Sequence, residues 1–402
     1  MTTLLIVSRY PWPRRSGDQR RTVEMVAALA GMGEVVVLSP RPPRGAPAPP
    51  SDFPARLVYY APPRAVEWPL RAAGALFGRH PLETVFLGVT RDLVRRFRDL
   101  VGAADLVVLQ LTRLSPLLAE LPTELPLVVD LIDSLALNFE RRAASGSPLL
   151  APLFRLGAAR HRRAEAEAVA RAAVTLLVAE GDRAHLAKRL GPSLASRLAV
   201  VPLVAPAFAA PVAAPAAPGE RLIVTGNLGY FPTRHGVEFL LREVWPGLRA
   251  SRPGLEMVLA GARPPRTWRG LAARSGVTLL ADPPELLPHL AAATLALAPL
   301  EAGTGQPIKI LEAWAVGVPV VASPVAAAGV GGRDGVELRV ASSPAEWHRV
   351  LLELLDDAPQ RQRLAAAGRA RLAADFSPAA ITAAYRRVFE PLLRGSAAGS
   401  SG

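Results

Sequence analysis

Lys309 and Glu312 stand three residues apart, directly after a loop of small residues, Gly303-Thr-Gly-Gln-Pro307. A spacing of three puts both side chains on one face of a helix. The apolar run Thr294-Leu-Ala-Leu-Ala-Pro299 before the loop reads as a buried strand. After it, Ile308, Leu311 and Ala315 recur at helical spacing up to Gly317, and Val318-Pro-Val-Val-Ala-Ser323 begins a second strand. Pro307 suits a first helical turn, where its missing N–H costs nothing. Such a helix start presents free N–H groups that favour an anion. Lys309 would add a compact positive charge, and Glu312 could accept hydrogen bonds from a diol. The same pair on a solvated helix would be worth only roughly 0.2–0.5 kcal/mol. Its place beside the glycine loop is what favours chemistry.

Other loops follow strands in the same way. Gly226 and Asn227 close the run Arg221-Leu-Ile-Val-Thr225, at the kind of carboxyl edge where α/β domains hold ligands; Tyr230 and Arg234 lie further along that loop, within reach of a phosphate. Gly17, flanked by Arg14, Arg15, Ser16, Arg20 and Arg21, follows the first strand, and a glycine there would let backbone come close to a ligand. Those arginines could hold an anionic acceptor or a membrane surface, or form a solvated rim. Asp133 follows the run Leu127-Val-Val-Asp-Leu131 and could act as a general base or as a structural cap; Asp130 next to it could cap the loop. The six histidines show no metal-ligand spacing, so no metal is expected.

These loops need a scaffold of alternating strands and helices. Residues 1–8, 34–39, 56–60, 106–110, 127–131, 174–178 and 198–202 read as strands of the first half. Helices are expected over 21–29, 66–77, 82–100, 150–172 and 181–190. In the second half, strands at 221–225, 255–260, 277–281, 294–298, 318–323 and 336–340 alternate with helices at 237–248, 266–274, 284–292, 308–316, 344–355, 358–374 and 378–393. Strand, helix, strand with short links implies parallel sheets. The Pro/Ala stretch 205–218 supports neither a ladder nor a helix and marks the domain boundary, and 395–402 reads as a loose small-residue tail. The fold class is therefore α/β, with two doubly wound Rossmann-like domains, 1–204 and 219–375, facing across a cleft. The dinucleotide signature G-x-G-x-x-G is missing from the first βαβ unit.

Composition narrows the partners. With 402 residues and a 50% hydrophobic fraction, the chain is long enough for two cores. It has no cysteine, no apolar run of membrane-spanning length and no signal-peptide pattern, so a cytoplasmic protein is expected. Net charge is +13; residues 1–204 carry 27 basic against 18 acidic side chains, a net +9, and the remainder a net +4. The basic residues lack interleaved aromatics and a nucleic-acid motif, which leaves an anionic ligand or an anionic membrane surface and excludes nucleic acid.

Several stretches in register resemble the nucleotide-sugar-dependent glycosyltransferases of the two-Rossmann-domain (GT-B) type. They are most similar to the retaining branch that includes sucrose synthase-like and bacterial polysaccharide and lipopolysaccharide enzymes. The carriers are Lys309-x-Leu-Glu312-Ala-x-Ala-x-Gly317-x-Pro-Val-Val-Ala-Ser323, Ser16-Gly17, Thr225-Gly-Asn-Leu-x-Tyr-x-Pro232, Val129-Asp130 through Asp133, and Phe376-Ser-x-x-x-Ile381. Many members carry a Glu where Thr304 stands; a subset tied to exopolysaccharide gene clusters has, like this chain, a Gly-rich loop and a Lys.

The resemblance implies transfer of a sugar from a UDP-, GDP- or dTDP-sugar to a hydroxyl acceptor (a polysaccharide precursor, lipid-linked saccharide or small metabolite), with retention and without cofactor or metal. It implies donor binding by Gly17, Gly226, Thr304, Gly305, Gln306, Ile308, Lys309 and Glu312, the last on the ribose, and catalytic roles for Asp133 and Lys309. The Arg and Lys usual in the loop after Gly226 are not in their usual arrangement, and Asn227 and Arg234 are added to the donor set from their place in that loop. The helix over 376–394 is expected to pack toward the first domain. The basic first domain would face the inner membrane surface. Two other readings remain: a sugar-nucleotide epimerase of the same fold, and a non-catalytic scaffold docked on anionic lipid.

Overall fold

Short apolar runs buried on both faces form parallel strands, and the computed structural model, which describes residues 1–14, 16–78, 80–84, 88–145, 148–205 and 220–399, arranges them in two sheets. The chain divides into two units, Met1–Leu203 with Pro378–Gly402, and Val204–Ser377. The Pro/Ala stretch 205–218 lies outside the described residues apart from Ala205.

In the first unit, β1 (Thr2–Ile6), β2 (Glu34–Pro40), β3 (Arg56–Tyr60), β4 (Leu106–Gln110), β5 (Leu127–Ile132), β6 (Val174–Leu177) and β7 (Leu198–Val200) are ordered β3-β2-β1-β4-β5-β6-β7, all parallel. The winding reverses between β1 and β4. Its helices are α1 (Gly17–Ala30), α2 (Trp68–Phe77), α3 (Arg91–Val101), α4 (Leu135–Ser145), α5 (Ala151–Arg171), α6 (Glu180–Leu190) and the single turn α7 (Pro192–Ala195). Leu93 and Phe97 of α3 fill the core beneath Leu4, Ile6, Leu109 and Val129. The helix expected over 82–100 is described as Arg91–Val101, with 85–87 outside the described residues.

The second unit holds β8 (Arg221–Asn227), β9 (Glu256–Ala262), β10 (Thr278–Ala281), β11 (Leu295–Ala298), β12 (Val320–Ala322) and β13 (Arg339–Val340) in the parallel order β10-β9-β8-β11-β12-β13. Here the winding reverses between β8 and β11. Its helices run α8 (Phe231–Phe239), α9 (Trp245–Ser251), α10 (Trp268–Ser275), α11 (Leu287–Ala291), α12 (Ile308–Val316), α13 (Pro324–Val330), α14 (Pro344–Asp356) and α15 (Ala358–Asp375).

Three expectations change. Helix α8 starts at Phe231, within the stretch expected as loop up to Gly236, because Pro232 sits in the first turn, where no N–H is needed. It reaches α9 through the π-helical segment Leu240–Val244. Helices α4 and α13 were not expected. The last helix, α16 (Pro378–Gly399), runs on through most of the tail expected to be loose.

Helix α16 belongs to the first unit, where it lies on α1. Arg21 of α1 and Asp130 of β5 are both fully buried, with Arg21 Nε 2.9 and 2.8 Å from the two carboxylate oxygens. Arg21 also donates to the Val201 carbonyl and lies 5.4 Å from the Tyr385 ring centroid. Burial alone would lower the Arg21 pKa; the facing Asp130 carboxylate more than reverses this, and the net direction is up. Neither residue does what its sequence position implied. Arg21 is no rim cation, and Asp130 caps no loop, because each satisfies the other's charge.

Arg21→Met is expected to destabilise the protein by about 3–5 kcal/mol in urea unfolding, since it strands a buried carboxylate. Tyr385→Phe keeps the ring and removes a hydroxyl that has no hydrogen-bond partner among the described residues. It should cost about 0.5 kcal/mol or less.

Candidate active site

At the reversal point of a doubly wound sheet, the connections after two neighbouring strands leave in opposite directions and open a crevice at their carboxyl ends. In the second unit that point is β8 beside β11, and the loops after both strands carry the residues singled out above. At the end of β8, which runs past the expected Thr225 to Asn227, Gly226 holds φ +111°, which side-chain-bearing residues rarely adopt. The stem of Lys309 runs alongside it: a Cβ at Gly226 would lie 3.5 Å from Lys309 Cε. A side chain at Gly236 would strike the Pro299 carbonyl, so α8 packs directly against the exit of β11.

The exit of β11 turns through Gly303 and Gly305, both at positive φ, into α12, whose N-cap is Pro307 rather than a residue within the first turn. The helix stops at Gly317, in the left-handed conformation, as expected. Ile310, Leu311, Ala313 and Trp314 bury the inner face, leaving Lys309 and Glu312 half-buried on the other side near the helix start. Lys309 Nζ donates to Thr233 Oγ1 on α8 at 3.2 Å. Burial pushes the Lys309 pKa down to about 8, against the opposing pull of the Glu312 carboxylate. An ammonium held in a glycine-lined crevice beside free helix N–H groups is equipped to receive a negatively charged group.

Thr304 and Gly305 are half-buried, Gln306 is buried, and Ile308 is half-buried at the first helical position. Asn227 and Arg234 have other engagements. Asn227 Oδ1 accepts from Gly229 N at 3.1 Å and shapes its own turn. Arg234 is exposed, its Nε 3.9 Å from Glu238 Oε1 one helical turn on. Thr233, the lysine's partner, is the residue that sequence reasoning missed. Its signal was Thr-x-x-Gly in the first turn of a helix that had been read as loop.

In the first unit, polar groups gather at the exits of β1, β4 and β5. Leu111 and Ile132, the residues that leave β4 and β5, have φ of +74° and +66°. Buried side chains at such angles are strained, and strain of this kind gathers at functional sites. Asp133 follows Ile132 and is half-buried. Arg113, also half-buried, feels the charges of Asp18, Arg9, Glu83 and Asp133; burial dominates and pulls its pKa below the usual range. Its Nε and Nη1 have no hydrogen-bond partner among the described residues. Arg9 Nη1 donates to Asp18 Oδ1 at 3.1 Å and to Ser16 Oγ at 3.2 Å.

Gly17, the first residue of α1, does not adopt positive φ, and a Cβ there would make only ordinary contact with Leu203 at 3.8 Å. Nothing within this unit requires a glycine at that position. Arg15 lies outside the described residues. Arg9 and Arg113 were not anticipated, although each directly follows or nearly follows a buried strand.

Residues 219–357 match the family described as Glycosyl transferases group 1. Among solved structures, the chain is similar to sucrose-phosphate synthase from Thermosynechococcus elongatus, at 17% identity and a TM-score of 0.72, over 98% of this chain and 100% of that one. It is similar to Anabaena HepE in complex with UDP-glucose, at 15% identity and a TM-score of 0.62, over 97% and 100% of the two chains. WaaG, a glycosyltransferase involved in lipopolysaccharide biosynthesis, matches at 17% identity and a TM-score of 0.63, over 96% and 98%. Comparison with curated proteins gave no match. The chain has the GT-B fold, and the stretch that matches the group 1 family model lies in its second unit.

With the Lys309 pKa near 8, the protonated form that attracts an anion is lost as pH rises through that value. The dissociation constant for a nucleoside diphosphate, measured calorimetrically, should rise about ten-fold between about pH 7 and pH 9. Lys309→Arg should flatten this dependence, and Glu312→Gln should move its onset to lower pH, since the carboxylate that supports the charge is gone.

Proposed function

We propose that this GT-B glycosyltransferase moves a sugar from a nucleotide-sugar donor to a hydroxyl acceptor with retention of configuration. The observation that carries the reading is Lys309: a desolvated ammonium beside Gly226, on the first turn of α12, at the reversal point of the second sheet. In such a transfer the diphosphate leaves with the electrons of the glycosidic bond, so charge grows on its oxygens as the bond breaks. Lys309 and the N–H groups at the start of α12 meet that charge where it develops, which is the requirement for accelerating the step. Gly226 supplies close backbone approach, Gly305 and Gln306 form the loop over the phosphates, and Thr233 holds Lys309 at the correct height. Glu312, one turn further, accepts the ribose hydroxyls. Thr304 is small and leaves the sugar to be gripped by backbone, unlike relatives with Glu at that place.

Asp133 is proposed to address the acceptor. Retention needs no strict base from the protein, and in that case Asp133 orients the acceptor hydroxyl; with inversion it would take the proton. The structure of HepE with UDP-glucose makes that compound the first donor to try, followed by GDP- and dTDP-sugars. Association with an anionic membrane face fits the net +9 of residues 1–204.

The test is donor turnover across that set, with the anomer of the product read by proton NMR. Lys309→Ala should lower kcat/KM about 100- to 1,000-fold, and Glu312→Ala should act chiefly by raising the KM for the donor. Asp133→Asn should leave donor affinity unchanged and slow transfer about 100-fold or more. A protein that binds no nucleotide sugar, and in which these substitutions alter only stability, would not be a transferase.

A further inference from the structure

The outer surface of the first unit carries large apolar side chains where a water-facing surface would place polar ones. Val66 and Leu70 are each 81% exposed and Trp68 41%, at the start of α2 and in the turn before it. Leu149 is 91% exposed, and Leu150, Leu153 and Leu156 are all 40% or more. Helix α5 explains the second group. Its buried side mixes small residues, Ala151, Ala158, Ala164 and Ala168, and Gly157 against the ring of Phe139 on α4, with Arg160, His161, Glu165 and Val169, and it takes in no leucine. The leucines therefore fall on the outer face. An ordinary surface helix has the opposite arrangement, large apolar residues inward and polar residues outward.

The two apolar segments are linked within the fold. Arg71 of α2 donates to the Thr84 carbonyl at 2.7 Å, and the adjacent Glu83 pairs with His161 of α5 at 3.0 Å. Their surroundings are basic. Six arginines lie between positions 141 and 164, of which Arg160 is buried and Arg162 and Arg163 pair with Glu140 and Glu167, and Arg64 and Arg71 flank the first segment, which also holds Glu67. Arg155 sits one residue before Leu156 on the exposed side of α5, and it and Arg64 are exposed with no ion-pair or hydrogen-bond partner among the described residues. Leucine, valine and tryptophan flanked by arginine is the composition of a surface that lies in a bilayer interface, with apolar groups at the acyl boundary and arginines on anionic headgroups. Among the described residues no helix is long and apolar enough to cross a membrane.

We propose that residues 64–71 and 149–156 together dock the first unit onto the surface of an anionic bilayer, without spanning it. The inference stands whether or not the chain transfers sugar. It sharpens a general basic charge into two named segments whose apolar side chains, as well as arginines, take part.

Vesicle co-sedimentation of the full chain tests it. Binding to vesicles containing phosphatidylglycerol should exceed binding to pure phosphatidylcholine vesicles at least about ten-fold, and about 0.5 M salt should weaken it. Leu70→Asp combined with Leu153→Asp should reduce binding to the anionic vesicles at least about ten-fold, with an unchanged melting temperature. Arg64→Glu combined with Arg155→Glu, which leaves every apolar residue in place, should reduce it about ten-fold or more. Wild-type protein that ignores anionic vesicles, or a leucine variant that binds them as tightly as wild type, would overturn the proposal. So would sedimentation velocity showing that the leucine substitutions convert a dimer into a monomer, because the face would then belong to a second copy of the chain.

Discussion

A parallel sheet whose winding reverses must part its connections at the reversal, and in the second unit everything of chemical interest follows from where β8 meets β11. The loop after β8 and the loop after β11 leave on opposite sides, and α8 and α12 begin beside the gap between them. Two glycines stand beside that gap. Gly226, beside the stem of Lys309, holds φ +111°, which residues with side chains rarely adopt, and Gly236 lets α8 settle on the carbonyl of Pro299. A side chain at Gly236 would push α8 off the exit of β11.

Lys309 is the other half of this arrangement. Taking an ammonium out of water disfavours its charge, and the pKa near 8 expresses that cost. One hydroxyl, Thr233 Oγ1, and the charge of Glu312 offset it only in part. A site in that condition favours an anion more strongly than an exposed lysine would, because the incoming charge restores what burial removed. The first unit resolves a similar cost differently. Arg21 is fully buried where Lys309 is half-buried, and Asp130 stands against it with both oxygens, so that the pair fixes α1 to the sheet and to α16. One buried cation is committed to the fold; the other is left able to act.

Much of this was legible in the residues. The alternation of buried strands and helices, the stop at Gly317 and the pairing of Lys309 with Glu312 on one face follow from local rules of periodicity and helix ends. The beginning of α8 was missed because Pro232 and Gly236 read as breakers, whereas a proline in the first turn and a glycine under a neighbouring carbonyl both belong to a helix there. Thr233 was lost with it. Arg21 and Asp130 lie 109 positions apart, and no local pattern could pair them. The reversed faces of α5 likewise depend on what α4 offers it, which periodicity alone does not reveal.

The chain has only two lysines, Lys188 and Lys309, so the side-chain carbon next to each ammonium can be followed separately by NMR in protein labelled at that position. Titrating the two signals with and without a nucleoside diphosphate measures the central claim directly. Lys309 should titrate near pH 8 alone and move upward when the diphosphate binds, while Lys188 stays unchanged. A Lys309 signal whose pKa and shift are the same with and without the diphosphate would contradict the assignment of this residue as the donor's phosphate grip.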